Sequence, residues 1–383
     1  MRILSVLGTR PEAIKMAPVI RRLAQTPGVH SLVCVTAQHR RMLDQVLELF
    51  AIRPDRDLDL MRDGQGLTYI TTAVLERLGA VLDELRPDRV LVQGDTTTTM
   101  AASLAAFYRK IPLAHVEAGL RTGNLHAPWP EEMNRRLTSI IADLHFPPTE
   151  DAKRNLLREG VDPFSIVVTG NTVIDALLDA VAILDADGPR AAALDAALPR
   201  FDPRKRLILV TGHRRENFDG GLERVARGLL CLAQRGDVEI VYPVHLNPNV
   251  QRAAHAVLGG HPAIHLIAPL DYLPFVNLMR RAALIVTDSG GVQEEAPSLG
   301  KPVLVTRETT ERPEAVAAGT VELVGTDTAL LVARASRLLD DPAACAAMSF
   351  VHNPYGDGHA AERIVAGLLR PSRAGPPSSG DGR

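Results

Sequence analysis

Short apolar runs, each breaking at a turn into a helical pattern, constrain this chain more than any other feature. Arg2–Leu7 reads as a buried strand, followed by the turn Gly8–Glu12 and a helix through about Leu23. Leu32–Thr36, Arg89–Gln93 and Pro112–Glu117 repeat the pattern. Continuous apolar runs alternating with helices argue for a parallel sheet covered on both faces. The rhythm restarts after residue 200 with Leu207–Thr211, Glu239–Val244, Ala263–Ile267, Leu284–Thr287 and Pro302–Thr306. Two doubly wound α/β domains follow from the pattern, and 383 residues accommodate them at about 150 residues per domain. Asp185–Arg204, rich in Ala, Asp and Pro, reads as a segment between the two sheets. Residues after Arg370 lack the apolar content to pack and read as a disordered tail.

Composition removes several function classes. With 46% hydrophobic and 23% charged residues the chain reads as globular rather than disordered. A net charge of −2 lacks the electrostatic footprint of a non-specific nucleic-acid binder, and 4% aromatics offer no base-stacking platform. The three cysteines, Cys34, Cys231 and Cys345, are far apart, which argues against a disulfide framework or thiolate metal site and fits a reducing cytoplasm. No apolar run is long enough to span a membrane, and Gly8, Arg10 and Glu12 come too early for a signal peptide. The expectation is a soluble cytoplasmic protein with no metal, since HExxH and EF-hand patterns are missing.

In open parallel sheets ligands bind at the carboxyl ends of strands, so polar residues just after a strand are the candidates. Gly8-Thr9-Arg10-Pro11-Glu12-Ala13-Ile14-Lys15 joins the first strand to its helix. A helix N-terminus with Arg10 and Lys15 suits an anion, although a capped turn with two solvated cations explains the same residues. Asp95, in GDTTTT, is either a helix cap or a carboxylate at a cleft mouth. Glu117 ends an apolar strand, where a surface role is harder to argue. Glu131 opens a helix, where the helix dipole alone favours an acid. Three carboxylates converging from neighbouring loops would suit general acid–base work. In the second half His213 and His245 follow strands, either as structural histidines or as groups that meet an anion. The strongest local pattern is Thr287-Asp288-Ser289-Gly290-Gly291, a strand running through Ser-Gly-Gly into a helix. Its amides suit a nucleotide diphosphate, Glu294 and Glu295 suit ribose hydroxyls, and Arg312 adds a cation.

These stretches together closely resemble the bacterial non-hydrolysing UDP-N-acetylglucosamine 2-epimerases, from about Met1 to Leu369. The likeness lies in GTRPEAIKMAP (Gly8–Pro18), TAQHR (Thr36–Arg40), GDTTTT (Gly94–Thr99), HVEAGLRTG (His115–Gly123), PWPEEMNR (Pro128–Arg135) and TGNTVIDAL (Thr169–Leu177). It continues through GHRREN (Gly212–Asn217), YPVHLNPNV (Tyr242–Val250), TDSGGVQEEAPSLGKPVLV (Thr287–Val305), TTERPEAV (Thr309–Val316) and NPYGDG (Asn353–Gly358). The resemblance implies a GT-B-type architecture of two Rossmann-like domains around a cleft. Residues 1–169 would form the first domain and 170–353 the UDP-binding one, with 354–370 packing back on the first and 371–383 as tail. It also implies an isomerase that interconverts UDP-GlcNAc and UDP-ManNAc through UDP elimination to 2-acetamidoglucal and re-addition, supplying ManNAc for cell-surface polysaccharide.

By resemblance, Asp95, Glu117, Glu131 and His213 match catalytic positions. Arg10, Lys15, Asp95, Glu117, His213, Ser289, Gly290, Gly291 and Arg312 match substrate contacts, with Glu295 at the ribose and Phe275 near the uracil. Gln38, Glu131, Arg214 and His245 match a second, allosteric site for a UDP-GlcNAc activator, while Gly64 stands where some members carry a basic residue. The implied assembly is a homodimer with no cofactor. A GT-B glycosyltransferase, or a non-catalytic nucleotide-sugar sensor, would share the fold and the diphosphate site. The three carboxylates and their full motifs favour the epimerase.

Overall fold

The structure, a computed structural model, describes residues 1–36, 40–62, 64–349 and 352–370. It divides into two compact units, Met1–Thr172 with the stretch from His359, and Val173–Gly358. The expected tail, 371–383, lies outside the described residues.

The first unit is built on six parallel strands: β1 (Arg2–Leu7), β2 (His30–Val35), β3 (Arg56–Asp57), β4 (Arg89–Gln93), β5 (Leu113–Val116) and β6 (Leu144–Phe146). They lie in the order β3-β2-β1-β4-β5-β6. Covered on both faces, the inner strands bury Ile3, Leu4, Leu7 and Leu91 completely. The helix Arg10–Ala24 starts at a capping box, Thr9 with Glu12, has Pro11 in its first turn and carries Arg21 and Arg22 in its last. Its apolar stripe, including Met16, Val19 and Leu23, is buried. Helix Ala360–Leu368 packs against it. Gly367 permits a close approach of that helix to β6, because a Cβ there would lie 2.6 Å from the ring of the fully buried Phe146.

The second unit repeats the plan with β7 (Arg206–Thr211), β8 (Val238–Pro243), β9 (Ile264–Ile267), β10 (Leu284–Thr287), β11 (Val303–Val305) and β12 (Val321–Leu323). The order is β12-β11-β10-β7-β8-β9, again parallel. Ile208, Leu229, Ile240 and Leu304 anchor its core. In each unit the strand order reverses beside the first strand, between β1 and β4 and between β7 and β10. That reversal leaves a crevice beyond the carboxyl ends of those strands.

Strands β3, β6 and β12 are additions to the sequence reading. They are two or three residues long and each sits at a sheet edge. Edge strands need no continuous apolar run, so they leave little pattern to find. Asp185–Arg204 lies in the chain between β6 and β7, as read. It contains the helix Gly188–Ala196, and Asp195 accepts hydrogen bonds from Asn277 (2.9 Å) and Arg281 (2.6 Å), which ties it to the second unit. Among the described residues no helix is long and apolar enough to cross a membrane. None of their His, Cys, Asp and Glu side chains form a group of three suited to a metal ion.

Candidate active site

At the β1/β4 crevice, Gly8 lies so close to β4's loop that a Cβ would fall 2.2 Å from Thr98 Oγ1. Glu12, buried in the first turn of its helix, ties the two loops together. One carboxylate oxygen accepts the Gly8 and Thr9 amides (3.0 and 2.7 Å), and the other accepts the Thr96 and Thr99 hydroxyls (2.7 and 3.1 Å). Burial pushes the Glu12 carboxyl upward, against those four donors. Thr96, not Asp95, caps the helix Thr97–Tyr108, so the Asp95 side chain is released for other contacts.

Glu117 sits directly after β5 in the left-handed region, with φ 62°, a conformation that costs energy for a residue with a side chain. Its buried carboxylate accepts from Lys15 Nζ through both oxygens (2.7 and 2.8 Å), from Gln93 Nε2 and from Asn171 Nδ2 at 3.3 Å. Asp95 accepts from Arg135 Nη2 at 2.6 Å, while Asn134 donates to its carbonyl at 2.9 Å. Burial raises the Asp95 pKa. Arg135 opposes that shift, Glu117 reinforces it, Lys15 opposes it and Glu131 reinforces it. Glu117 and Glu131 are therefore each close enough to act on Asp95. Glu131 opens the helix Glu131–Ile141 half-buried. Its neighbour Glu132 is fully buried and accepts the Thr122 and Gly123 amides (3.0 and 3.2 Å). Arg10 is half-buried and has no ion pair among the described residues.

At the β7/β10 crevice, the loop after β7 is folded around Asp288. One of its oxygens accepts the His213 and Arg214 amides (2.9 and 2.8 Å) and Asn217 Nδ2 at 3.4 Å. His213 stacks on His245 with centroids 5.3 Å apart and rings inclined by 21°. Burial lowers the His213 pKa, opposed by Asp288. Gly290 begins the helix Gly290–Glu295, and a Cβ there would have Arg214 Nη2 and the Arg312 guanidinium each 3.7 Å away. Two cations thus flank the Ser289-Gly290-Gly291 turn. Behind them Arg312 pairs with the buried Glu294. Arg307 bridges Glu216 and Glu311, both at 2.5 Å, holding the Glu311 carboxyl down to about 2. Glu295 accepts from Tyr272 Oη at 2.9 Å. Asn353, from the NPYGDG motif, donates to the Glu294 carbonyl at 2.7 Å and to Ser298 at 2.6 Å.

Lys15, Asp95 and Glu117 are thus neighbours, as are His213, Arg214, His245, Gly290 and Arg312. Phe275 is half-buried on the helix Tyr272–Arg281. Gln38 lies outside the described residues. The sequence reading missed the holding residues Gln93, Arg135, Asn171, Tyr272 and Arg307. Arg135 and Asn171 lie inside quoted motifs and Gln93 ends a quoted strand, but no local pattern indicates a partner far along the chain.

Residues 21–369 match the family model for UDP-N-acetylglucosamine 2-epimerase. The chain is 58% identical over 369 residues to the UDP-N-acetylglucosamine 2-epimerase of Escherichia coli strain K12, covering 96% of this chain and 98% of that one. The crystal structure of the Neisseria meningitidis UDP-GlcNAc 2-epimerase bound to UDP-GlcNAc is 52% identical and superposes with a TM-score of 0.89 over 97% of this chain and 100% of the other. That of the Methanocaldococcus jannaschii UDP-GlcNAc 2-epimerase in complex with UDP-GlcNAc and UDP is 35% identical. Its TM-score is 0.80, over 96% and 99% of the two chains.

Proposed function

The chain belongs to the UDP-N-acetylglucosamine 2-epimerase family, and from that premise we propose that it interconverts UDP-GlcNAc and UDP-ManNAc by inverting the sugar at C2. In the reaction the C1–O bond to the diphosphate breaks, and its electron pair leaves with UDP. A base removes the C2 proton, and the C1=C2 bond of 2-acetamidoglucal forms. The intermediate turns over, a phosphate oxygen re-attacks C1, and a proton is delivered to the other face of C2. One proton leaves and one returns, so a base and an acid are needed together.

The observation that carries this reading is the set of three acids in which Glu117 and Glu131 both raise the Asp95 pKa. Such coupling favours one protonated and one ionised carboxyl at the same pH. Lys15 lies against both oxygens of Glu117 and supports its anionic form. Asp95, Glu117 and Glu131 exchange the proton. Arg10, Lys15, His213, Ser289, Gly290, Gly291 and Arg312 hold the substrate and stabilise charge on the departing UDP, a role in which a single donor is typically worth about 10²–10³ in rate. Glu295 takes the ribose and Phe275 the uracil.

A second UDP-GlcNAc acts as activator through Arg214 and His245, a role to which the stacking of His245 on His213 gives a direct link. The enzyme works in the cytoplasm, in keeping with three free cysteines, and feeds ManNAc to surface polysaccharide. It acts as a homodimer. The exposed Met133, Leu137 and Ile140, spaced along one face of the helix Glu131–Ile141, support a partner on that helix.

Incubation with UDP-GlcNAc in D2O tests the reaction. Deuterium at sugar C2 and UDP-ManNAc without any acceptor are expected. Exchange-free turnover that requires an acceptor would instead mark a glycosyltransferase, and free ManNAc with UDP a hydrolysing enzyme.

A further inference from the structure

The fold of the loop after β7 accounts for only half of Asp288. Its Oδ2 accepts the two backbone amides and Asn217, and those contacts help shape the loop. Its Oδ1 is also buried, in a residue with 0% exposure, yet it has no hydrogen-bond partner among the described residues. Among the described residues its ion-pair contact is His213 Nδ1, at 3.4 Å. A buried carboxylate oxygen is costly to leave unmatched, and an imidazole N–H is the group within reach.

We infer that Asp288 is a positioning residue for the reaction: Oδ1 takes the Nδ1–H of the His213 imidazolium and leaves Nε2–H to donate to the departing diphosphate. The inference rests on the proposed role of His213 at that diphosphate. The partner of one ring nitrogen sets the tautomer and orientation of the other. The ring plane is held on its far side by His245, whose own Nδ1 accepts the Asn247 amide at 3.1 Å. The charged and titratable groups facing His213 are Asp288, Arg214 and His245. Asp288 favours the protonated imidazole, while burial, Arg214 and His245 oppose it. Loss of the Asp288 charge therefore moves protonation of His213 to lower pH.

The test compares the wild type with Asp288→Asn, His213→Asn and the double variant, using C2 deuterium exchange of UDP-GlcNAc. Asparagine keeps a carbonyl oxygen for the loop amides but cannot accept from Nδ1–H. Asp288→Asn should melt near the wild-type temperature, keep its KM and lose about 10²-fold or more in kcat. The basic limb of its pH profile should move to lower pH. On the His213→Asn background the same change should cost less than about threefold further, because both act through one group. Full independent losses in the double variant, or a wild-type kcat and pH profile in Asp288→Asn, would overturn the inference. If Asp288→Asn does not fold, NMR of labelled histidine in the wild type decides: an Nδ1–H tautomer or imidazolium at His213 supports the role, and a neutral Nε2–H tautomer removes it. Wild-type protein that exchanges no deuterium would sink the functional reading itself, a result distinct from either failure.

Discussion

The β1/β4 end of the first unit and the β7/β10 end of the second occupy the same position in the same topology, yet their charges are inverted. In the first, acids are the reactive groups and cations brace them: Lys15 holds Glu117, and Arg135 holds Asp95. In the second, cations flank the turn and acids brace them: Glu294 holds Arg312, and Asp288 holds the loop of His213 and Arg214. The fold supplies the crevice in both cases. Which residue stands at the strand end, and which lies behind it, decides between proton transfer and anion binding.

If the inversion reflects a division of labour, variants in the two units should fail differently. The largest effect belongs to the first unit. Glu117→Gln and Asp95→Asn should lose about 10²–10⁴-fold in kcat, the range of a lost general acid or base. Their affinity for UDP should change by less than about threefold by calorimetry. Near-normal turnover in both would end the assignment of proton transfer to these acids. Arg312→Ala in the second unit should show the reverse emphasis, with UDP binding weakened by about 10- to 100-fold, the worth of a hydrogen bond to a charged group. Unchanged UDP affinity would break the comparison on its second side.

A smaller contrast separates the two glycine turns. Gly8→Ala drives a Cβ to 2.2 Å from Thr98 Oγ1 and 2.8 Å from Thr36 Oγ1, and overpacking of that kind costs about 1–3 kcal/mol. Gly290→Ala meets nothing nearer than 3.7 Å, so its stability should stay within about 0.5 kcal/mol of wild type while UDP binding falls. Chemical denaturation paired with UDP titration distinguishes a glycine required by packing from one required by a ligand. A stable Gly8→Ala protein would show that the threonines behind it can move.

The inner strands were readable because burial on both faces writes an unbroken apolar run: Arg89–Gln93 and Leu284–Thr287 were bounded correctly from the sequence alone. Strand β3 consists of Arg56 and Asp57 and carries no such signal. The site divides in the same way. Glu117 stood out because an acid closing an apolar strand is hard to explain otherwise. The residues that hold it did not, since Gln93 is 24 and Asn171 54 positions away, and pairing at such range leaves no periodicity. Asp288 was part of the clearest motif, but its amide partners at 213 and 214 become visible only when β7 and β10 are aligned.

The smallest effect tests whether the inverted charges also govern folding. Glu311, held by Arg307, titrates at about 2 in the folded second unit against an ordinary 4.5. Its folded pKa is depressed, so its contribution to stability is present above the unfolded value and fades as pH falls from about 4.5 toward 2. Asp95 in the first unit is shifted upward from 3.8. Its contribution is fully present below the unfolded value and is lost as pH rises through the folded one. Urea midpoints of Glu311→Gln and Asp95→Asn, each referred to wild type between pH 3 and 7, should therefore slope in opposite directions. The Glu311→Gln deficit should grow with pH, while Asp95→Asn should gain on wild type. Slopes of the same sign would show that the inversion belongs to ligand binding alone. Opposite slopes would show that the first unit carries a standing cost for keeping a proton on its acid, whereas the second draws stability from the carboxylates behind its cations.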